Sequence, residues 1–167
     1  MGTLFRQQLA IYSRYHQDPR NRATHFIGIP AIAFSLLVPL ALWRFRLFGL
    51  DVSAAWVAAF VALIGWISLD IAIGLAMAAI LLPMLFVAEA IARSYGATVA
   101  WLVFAVFFIA GWIFQLAGHV LEGKRPAFLD NLFQAFIGPM FLMAEALIAL
   151  GLKQELKGLI DESPPSA

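Results

Sequence analysis

Uncharged runs long enough to cross a membrane dominate this chain. Three of 18 residues lie at 26–43, 52–69 and 71–88; a fourth, 94–121, has His119 as its one group titrating near neutral pH; a fifth, 131–152, is interrupted by Glu145. A membrane-crossing helix needs about 20 mainly apolar residues, within a range of roughly 17–25. Each run is apolar all round rather than along one stripe. In lipid the backbone must satisfy its own hydrogen bonds, so such runs fold as helices. The reading is an all-α integral membrane protein with about five hydrophobic helices at 26–43, 52–69, 71–88, 97–121 and 131–152, in a single domain over 1–167.

Composition agrees. Hydrophobic residues make up 63% of the chain and charged residues 13%, against about 45–50% and about 25% in a soluble domain. Too few polar side chains remain to cover a core in water. The net charge of +1 leaves no basic surface for nucleic acid. The absence of cysteine removes disulfides, thiolate metal sites and thiol nucleophiles. Residues 1–25 carry Arg6, Arg14, Arg20 and Arg22 with no apolar core, so no cleavable signal peptide is expected. Position 6 is Arg rather than Ser or Thr, so no myristoylation signal is expected either.

Asp70 decides how the middle of the chain folds. As one helix, 52–88 would extend about 55 Å, well beyond a hydrocarbon core of about 30 Å. It therefore splits at Ser68-Leu69-Asp70 into a tight antiparallel pair, with Asp70 as a helix cap or turn residue. Ahead of the first run, Thr3–His16 has helical spacing of Leu4, Phe5, Leu9, Tyr12 and Tyr15. Together 1–20 read as an interfacial helix and turn, broken at Asp18-Pro19. The remainder, 153–167, reads as a frayed polar tail. With five crossings, Arg6, Arg14, Arg20, Arg22, Lys124 and Arg125 share one side against Arg44, Arg46, Arg93, Lys153 and Lys157 on the other. That six-to-five bias sets the N-terminus in the cytoplasm, of a bacterial inner membrane or, in a eukaryote, of the endoplasmic reticulum.

The same parity gathers the polar chemistry. An even number of crossings separates His25 from His119, so both face one side, with His16 and the Asp70 turn. Around them lie Asp18, Asn21, Gln115, Glu122, Lys124, Arg125, Asp130 and Asn131. His119 and Glu122 stand at i and i+3, on one face of a helix. Imidazole with carboxylate and no thiolate suits Fe(II), Mn(II) or Zn(II), and a three-histidine set suits zinc hydrolysis by ligand type alone. Glu145, inside an apolar run, reads as either a functional group or a helix-packing hydrogen bond. Lys124 and Arg125 fit either a topology signal or a binding site for a carboxylate.

Two segments carry a resemblance. Tyr15-His16 followed by Asn21-Arg22-Ala23-Thr24-His25-Phe26-Ile27-Gly28-Ile29-Pro30 is the first. The second runs Gly111-Trp112-Ile113-Phe114-Gln115, Gly118-His119, Glu122-Gly123-Lys124-Arg125-Pro126-Ala127, Asp130-Asn131-Leu132 and Gly138-Pro139. Together they resemble the 2-hydroxy fatty acid dioxygenase family, small membrane proteins formerly grouped as a domain of unknown function, over about Tyr12 to Glu145. Family members often carry a second histidine near the Asn of the first segment, where this chain has Arg22-Ala23-Thr24. The resemblance implies an Fe(2+)-dependent dioxygenase of fatty-acid α-oxidation, turning a long-chain 2-hydroxy fatty acid and O2 into the one-carbon-shorter acid and CO2. It implies His16, His25 and His119 as metal ligands.

Within that reading His25, His119 and Glu122 are the catalytic candidates, and Lys124, Arg125, Asn21 and Gln115 would bind substrate. The expected partners are the hydroxy acid, O2 and membrane lipid, with self-association open. A zinc-dependent membrane hydrolase and a non-enzymatic scaffold or transporter are the competing classes.

Overall fold

In the computed structural model, which describes residues 2–129 and 131–161, each apolar run forms a helix over most of its length. The elements are α1 (Thr3–Ser13), α2 (Pro19–Leu42), the hairpin β1 (Arg44–Leu47) and β2 (Leu50–Ser53), α3 (Ala54–Leu69), α4 (Ile71–Glu122), α5 (Phe133–Ala149) and α6 (Lys157–Asp161). Helices α2 and α4 are long and apolar enough to cross a membrane; α3 and α5 are shorter apolar helices.

Helix α2 begins at Pro19, seven residues before the uncharged run. Asp18 caps it by accepting from the Arg20 N–H at 2.8 Å, and proline at the first helical position needs no donor. Asp70 ends α3 and starts α4, accepting from the Ile73 N–H at 3.0 Å. It is a buried cap rather than a solvated one: Lys153 pairs with it at 2.9 Å. Burial opposes its charge, yet the Ile73 N–H and the Lys153 ammonium hold its carboxyl below the usual range.

Helix α4 breaks once, at Gly96, where φ is 73° and ψ is −176°. That backbone region is essentially closed to residues with a Cβ. The chain reverses there. The arm 71–95 runs out to Glu89 and Arg93, and the arm 97–122 returns to His119. At the outer end the hairpin turns through Phe48 and Gly49, both at positive φ, as tight two-residue hairpins require. Arg44 pairs with Asp51 at 2.6 Å and with Glu89 at 2.9 Å, and Arg93 with Glu89 at 3.2 Å. This charged hairpin is absent from the sequence reading, which treats 44–51 as a plain loop.

The fifth run departs from the five-crossing expectation. Near its start Gln134 bonds Gln8 of α1 at 2.5 Å, and near its end Glu145 pairs with Arg22 at the start of α2 at 2.9 Å. Both ends of α5 therefore lie at the histidine end of the bundle. The helix packs along α1 there, with Tyr12 and Phe141 in contact at 4.9 Å between ring centroids. Helix α1 is likewise no free surface helix, since Phe5 and Leu9 are fully buried. The segment after α5 stays at this end too. Its Lys153 reaches Asp70, and the Ile160 carbonyl accepts from Ser13 Oγ at 3.0 Å. Of the tail expected to fray, 154–161 is ordered as short helical turns; 162–167, like Asp130, lies outside the described residues.

Two outcomes follow. Gly96→Ala should lower stability by about 1–3 kcal/mol, the usual cost of a side chain in such backbone, read as a drop in unfolding midpoint in detergent. Single cysteines replacing Arg20, Lys124 and Lys157 should label from one side of the membrane and one replacing Arg46 from the other. Labelling of position 157 together with 46 would restore the five-crossing arrangement.

Candidate metal centre

Three histidines from three elements meet at the inner end of the bundle. His16 lies in the turn between α1 and α2, His25 in α2, and His119 in the last turn of α4. All three are buried, and one ring nitrogen from each lies within 4.8 Å of the others. Ring centroids are 4.5 Å apart for His16 and His25, 4.9 Å for His25 and His119, and 5.1 Å for His16 and His119.

Close helix packing brings them together. Gly28 of α2 faces Gly111 of α4: a Cβ on Gly28 would lie 2.9 Å from the Gly111 carbonyl oxygen. A Cβ on Gly118 would overlap Thr24 Oγ1 and Asn21 Oδ1. Small residues let two membrane helices approach to backbone contact, and His119 directly follows the tightest point. Glu122 then ties the end of α4 to the start of α2. It accepts from the backbone N–H of Gln17 at 3.0 Å and of Asp18 at 2.7 Å, and from Asn21 Nδ2 at 3.2 Å. Expected as a catalytic carboxylate, Glu122 has both oxygens engaged in this clasp.

Hydrogen bonds fix the orientation of two rings. His16 Nδ1 donates to the Tyr12 carbonyl at 2.9 Å, and His25 Nδ1 donates to the Asn21 carbonyl at 2.9 Å. A carbonyl only accepts, so in each neutral ring the lone pair resides on Nε2. Yet the two Nε2 atoms face each other at 3.1 Å. Two lone pairs at that distance repel unless a cation lies between them. A shared proton would bury a bare positive charge, and burial, followed by the charge of His25, pushes the His16 pKa down to about 2. A metal ion fits better. With bonds of about 2.0–2.1 Å, two imidazole ligands of one ion stand about 3.0–3.4 Å apart. His119 Nδ1 is buried without a hydrogen-bond partner among the described residues. Three neutral imidazoles therefore form a donor set that could hold Fe(II), Mn(II) or Zn(II).

Arg22, which the sequence reading counted as a flanking basic residue and as a departure from the family segment, organises this region. Its Nε donates to the His16 carbonyl at 2.6 Å, and its other nitrogens reach Glu145 at 2.9 Å and the Ile160 carbonyl at 3.3 Å. Glu145 thus takes its packing role, paired with Arg22. Ser13 and Gln17, on either side of His16, also bond the Ile160 carbonyl. The position of His16 is set by α6, the segment read as a loose tail. Tyr12 stacks on the His16 ring at 4.0 Å; its i, i+4 spacing to His16 was the available sequence signal.

The histidines open onto a cavity of about 240 Å³ whose wall includes Tyr12, Gln115, Gln134, Ile29, Trp112 and Pro139. Of the expected substrate-binding residues, Gln115 lies on this wall. Asn21 does not, and acts instead through its carbonyl on His25. Lys124 bonds the Arg14 carbonyl at 2.7 Å, and neither it nor Arg125 lies on the wall, although Pro126 and Ala127 do.

Comparison with known proteins follows the same residues. The family described as 2-hydroxy-palmitic acid dioxygenase Mpo1-like matches residues 3–150. The 2-hydroxy-palmitic acid dioxygenase MPO1 of Saccharomyces cerevisiae is 34% identical over 158 residues, covering 93% of this chain and 87% of the yeast protein. No solved structure gives a significant match.

His16→Ala, His25→Ala and His119→Ala should each remove bound metal while leaving helical circular dichroism intact. Arg22→Gln should weaken metal binding by about 10–100-fold, the usual effect of losing a group that orients a ligand. Both are read by metal analysis of purified protein; full occupancy in any histidine variant would take that residue out of the ligand set.

Proposed function

This chain belongs to the 2-hydroxy-palmitic acid dioxygenase Mpo1-like family, and from that premise we propose an iron-dependent dioxygenase of fatty-acid α-oxidation. Its substrate is a long-chain 2-hydroxy fatty acid, and its products are the fatty acid one carbon shorter and CO2. The observation that carries this reading is the pair of Nε2 lone pairs at 3.1 Å, beside a third buried imidazole and open to an apolar cavity. The reaction balances with O2 as sole oxidant. One hydroxy acid and one O2 give one shortened acid, one CO2 and one water, the C1–C2 bond breaking as four electrons pass from the substrate to O2. No external reductant is required.

Bound iron would supply a Lewis-acidic, redox-active centre able to hold an α-hydroxy carboxylate and O2 together. The protein's own residues do the rest. Asn21 and Tyr12, through their carbonyls, keep His25 and His16 in the tautomer that presents Nε2. Burial, followed by the Glu145 charge, raises the Tyr12 pKa, so its hydroxyl stays protonated and can donate at the cavity wall. Ile29, Ile32 and Leu36 line the cavity along α2 and exclude water from the reacting carbons. Each methylene they bury is worth about 0.8 kcal/mol. Arg125, which directly precedes the wall residue Pro126 in sequence, is the cation proposed to meet the substrate carboxylate.

The chain is proposed to sit in a membrane with four crossings: α2, α3 and the two arms of α4. Helices α1, α5 and α6 then share the side of the metal centre. That side carries Arg6, Arg14, Arg20, Arg22, Lys124, Arg125, Lys153 and Lys157, eight of the 11 basic residues. Arg44, Arg46 and Arg93 lie at the other end. An eight-to-three excess supports a cytoplasmic position for the metal centre, a stronger bias than the five-crossing count gives. The matched relative is a yeast protein, so it lends no support to a bacterial inner membrane.

Iron-loaded protein incubated with 2-hydroxypalmitate should release CO2 and the fifteen-carbon acid in equal amounts, only in the presence of O2. Arg125→Gln should lower kcat/KM by an amount equivalent to about 1.5–3 kcal/mol, the worth of a charge-assisted hydrogen bond, with iron content unchanged. Turnover without O2, or with zinc alone, would replace this reading with a hydrolytic one.

A further inference from the structure

A second cavity, of about 230 Å³, lies behind the first, lined by aliphatic side chains, methionines, prolines, Phe26 and the Trp66 indole. Its wall joins Phe26 and Pro30 of α2, Trp66 of α3, Met77 and Met84 of α4, and Met143 of α5. Three of the chain's five methionines are on this wall. Methionine is unbranched and polarizable, and recurs where a surface must adapt to a flexible apolar partner. Helix interiors otherwise pack to crystal-like density, and an apolar cavity of about 150 Å³ already accepts a benzene ring. A space of this size between four helices suits a stretch of hydrocarbon.

Its position relative to the metal centre says which hydrocarbon. Ile29, Ala33 and Pro139 line both cavities, forming a thin shared wall. His25, Ile29 and Ala33 follow one another at i, i+4 and i+8, and so stand in one row along α2. Each step of four residues advances about 6 Å, which sets Ala33 about 12 Å along the helix from His25. A chain held by its head at the histidines and laid along this row meets the Ala33 methyl, the smallest side chain on the partition. Past it lie the methionines.

We propose that the second cavity is the binding site for the distal part of the substrate's acyl chain, entered over Ala33, and that it sets the preference for long over short 2-hydroxy acids. The proposal rests on the 2-hydroxy acid reading of the metal centre. Bulk at Ala33 closes the partition, and bulk at Met84, which touches only the second cavity, fills the space beyond it. Either change penalises an acid long enough to pass the partition more than one that ends before it.

The test compares 2-hydroxypalmitate with 2-hydroxyoctanoate in wild type, Ala33→Phe and Met84→Trp, and adds a readout independent of turnover. Trp66 lies on the wall of the second cavity, so 2-hydroxypalmitate brominated at its last carbon should quench its fluorescence. In both variants the ratio of kcat/KM for the long acid over the short one should fall at least tenfold. The quenching should disappear in Trp66→Phe. Equal losses for both acids in both variants, or quenching that persists in Trp66→Phe, would overturn the tail site while leaving the dioxygenase reading in place. A phospholipid brominated at its tail end that quenches Trp66 as strongly would also overturn it, by assigning the space to membrane lipid. Absence of turnover with Trp66-dependent quenching retained would sink the dioxygenase reading and leave the tail site standing.

Discussion

Two imidazole lone pairs held face to face are the constraint around which the rest of this protein is arranged. The Nδ1–H groups of His16 and His25 are both committed to backbone carbonyls, so neither ring can turn to relieve the opposition at 3.1 Å. Repulsion fixed this firmly inside a buried site is sustained by a fold that gains elsewhere, or is removed by a cation at that point. The second solution also uses the buried, unpartnered Nδ1 edge of His119, and gives a neutral three-nitrogen face on one ion. Burial at this end of the bundle then has a chemical consequence: it disfavours an uncompensated charge on the rings and leaves their free nitrogens available to an ion.

The surrounding polar groups act on the histidines at one remove. Glu122 gathers the backbone N–H groups that open α2, fastening the turn that carries His16 to the helix end that carries His119. Arg22 grips the His16 carbonyl and, through Glu145 and Ile160, fastens the same turn to α5 and α6. Gly118, with Gly28 and Gly111, leaves out side chains that would push α2 and α4 apart. A single triangle of histidines is thus braced by charged groups whose own charges are mutually compensated, which is how ionisable residues are tolerated beside apolar helices. The charged cluster of Arg44, Asp51, Glu89 and Arg93 at the outer end touches none of this and pins the β-hairpin to α4.

Much of this arrangement is legible in the residues. Asp70 splits a run too long for one crossing, and the parity of crossings alone brings His25 and His119 to one side. The i, i+3 relation of His119 and Glu122 correctly sets them on one face, but spacing does not reveal that Glu122 faces peptide N–H groups. The fifth run misleads because hydropathy records how apolar a helix is, not what covers it: α5 lies against α1 at one end of the bundle and needs the same composition as a crossing helix. Lys153 and Lys157, which the five-crossing reading sets on the far side, belong to a segment that contacts Asp70 and Ser13 at the histidine end. The role of α6 was hidden because its bonds to Ser13, Gln17 and Arg22 converge on the Ile160 backbone carbonyl, which no side-chain pattern encodes. Gly96 was equally silent, since its importance lies in φ and not in what it touches.

The central claim is that one iron ion is bound by His16, His25 and His119, and X-ray absorption at the iron edge of purified protein tests it most directly. The account predicts about one iron per chain, with the outer-shell scattering of about three imidazole rings and nitrogen at about 2.0–2.2 Å, the range common for histidine ligands. That imidazole signal should weaken in His119→Ala in step with the loss of metal. Iron bound with no imidazole scattering, or purified protein that holds zinc and cannot be loaded with iron, would contradict it.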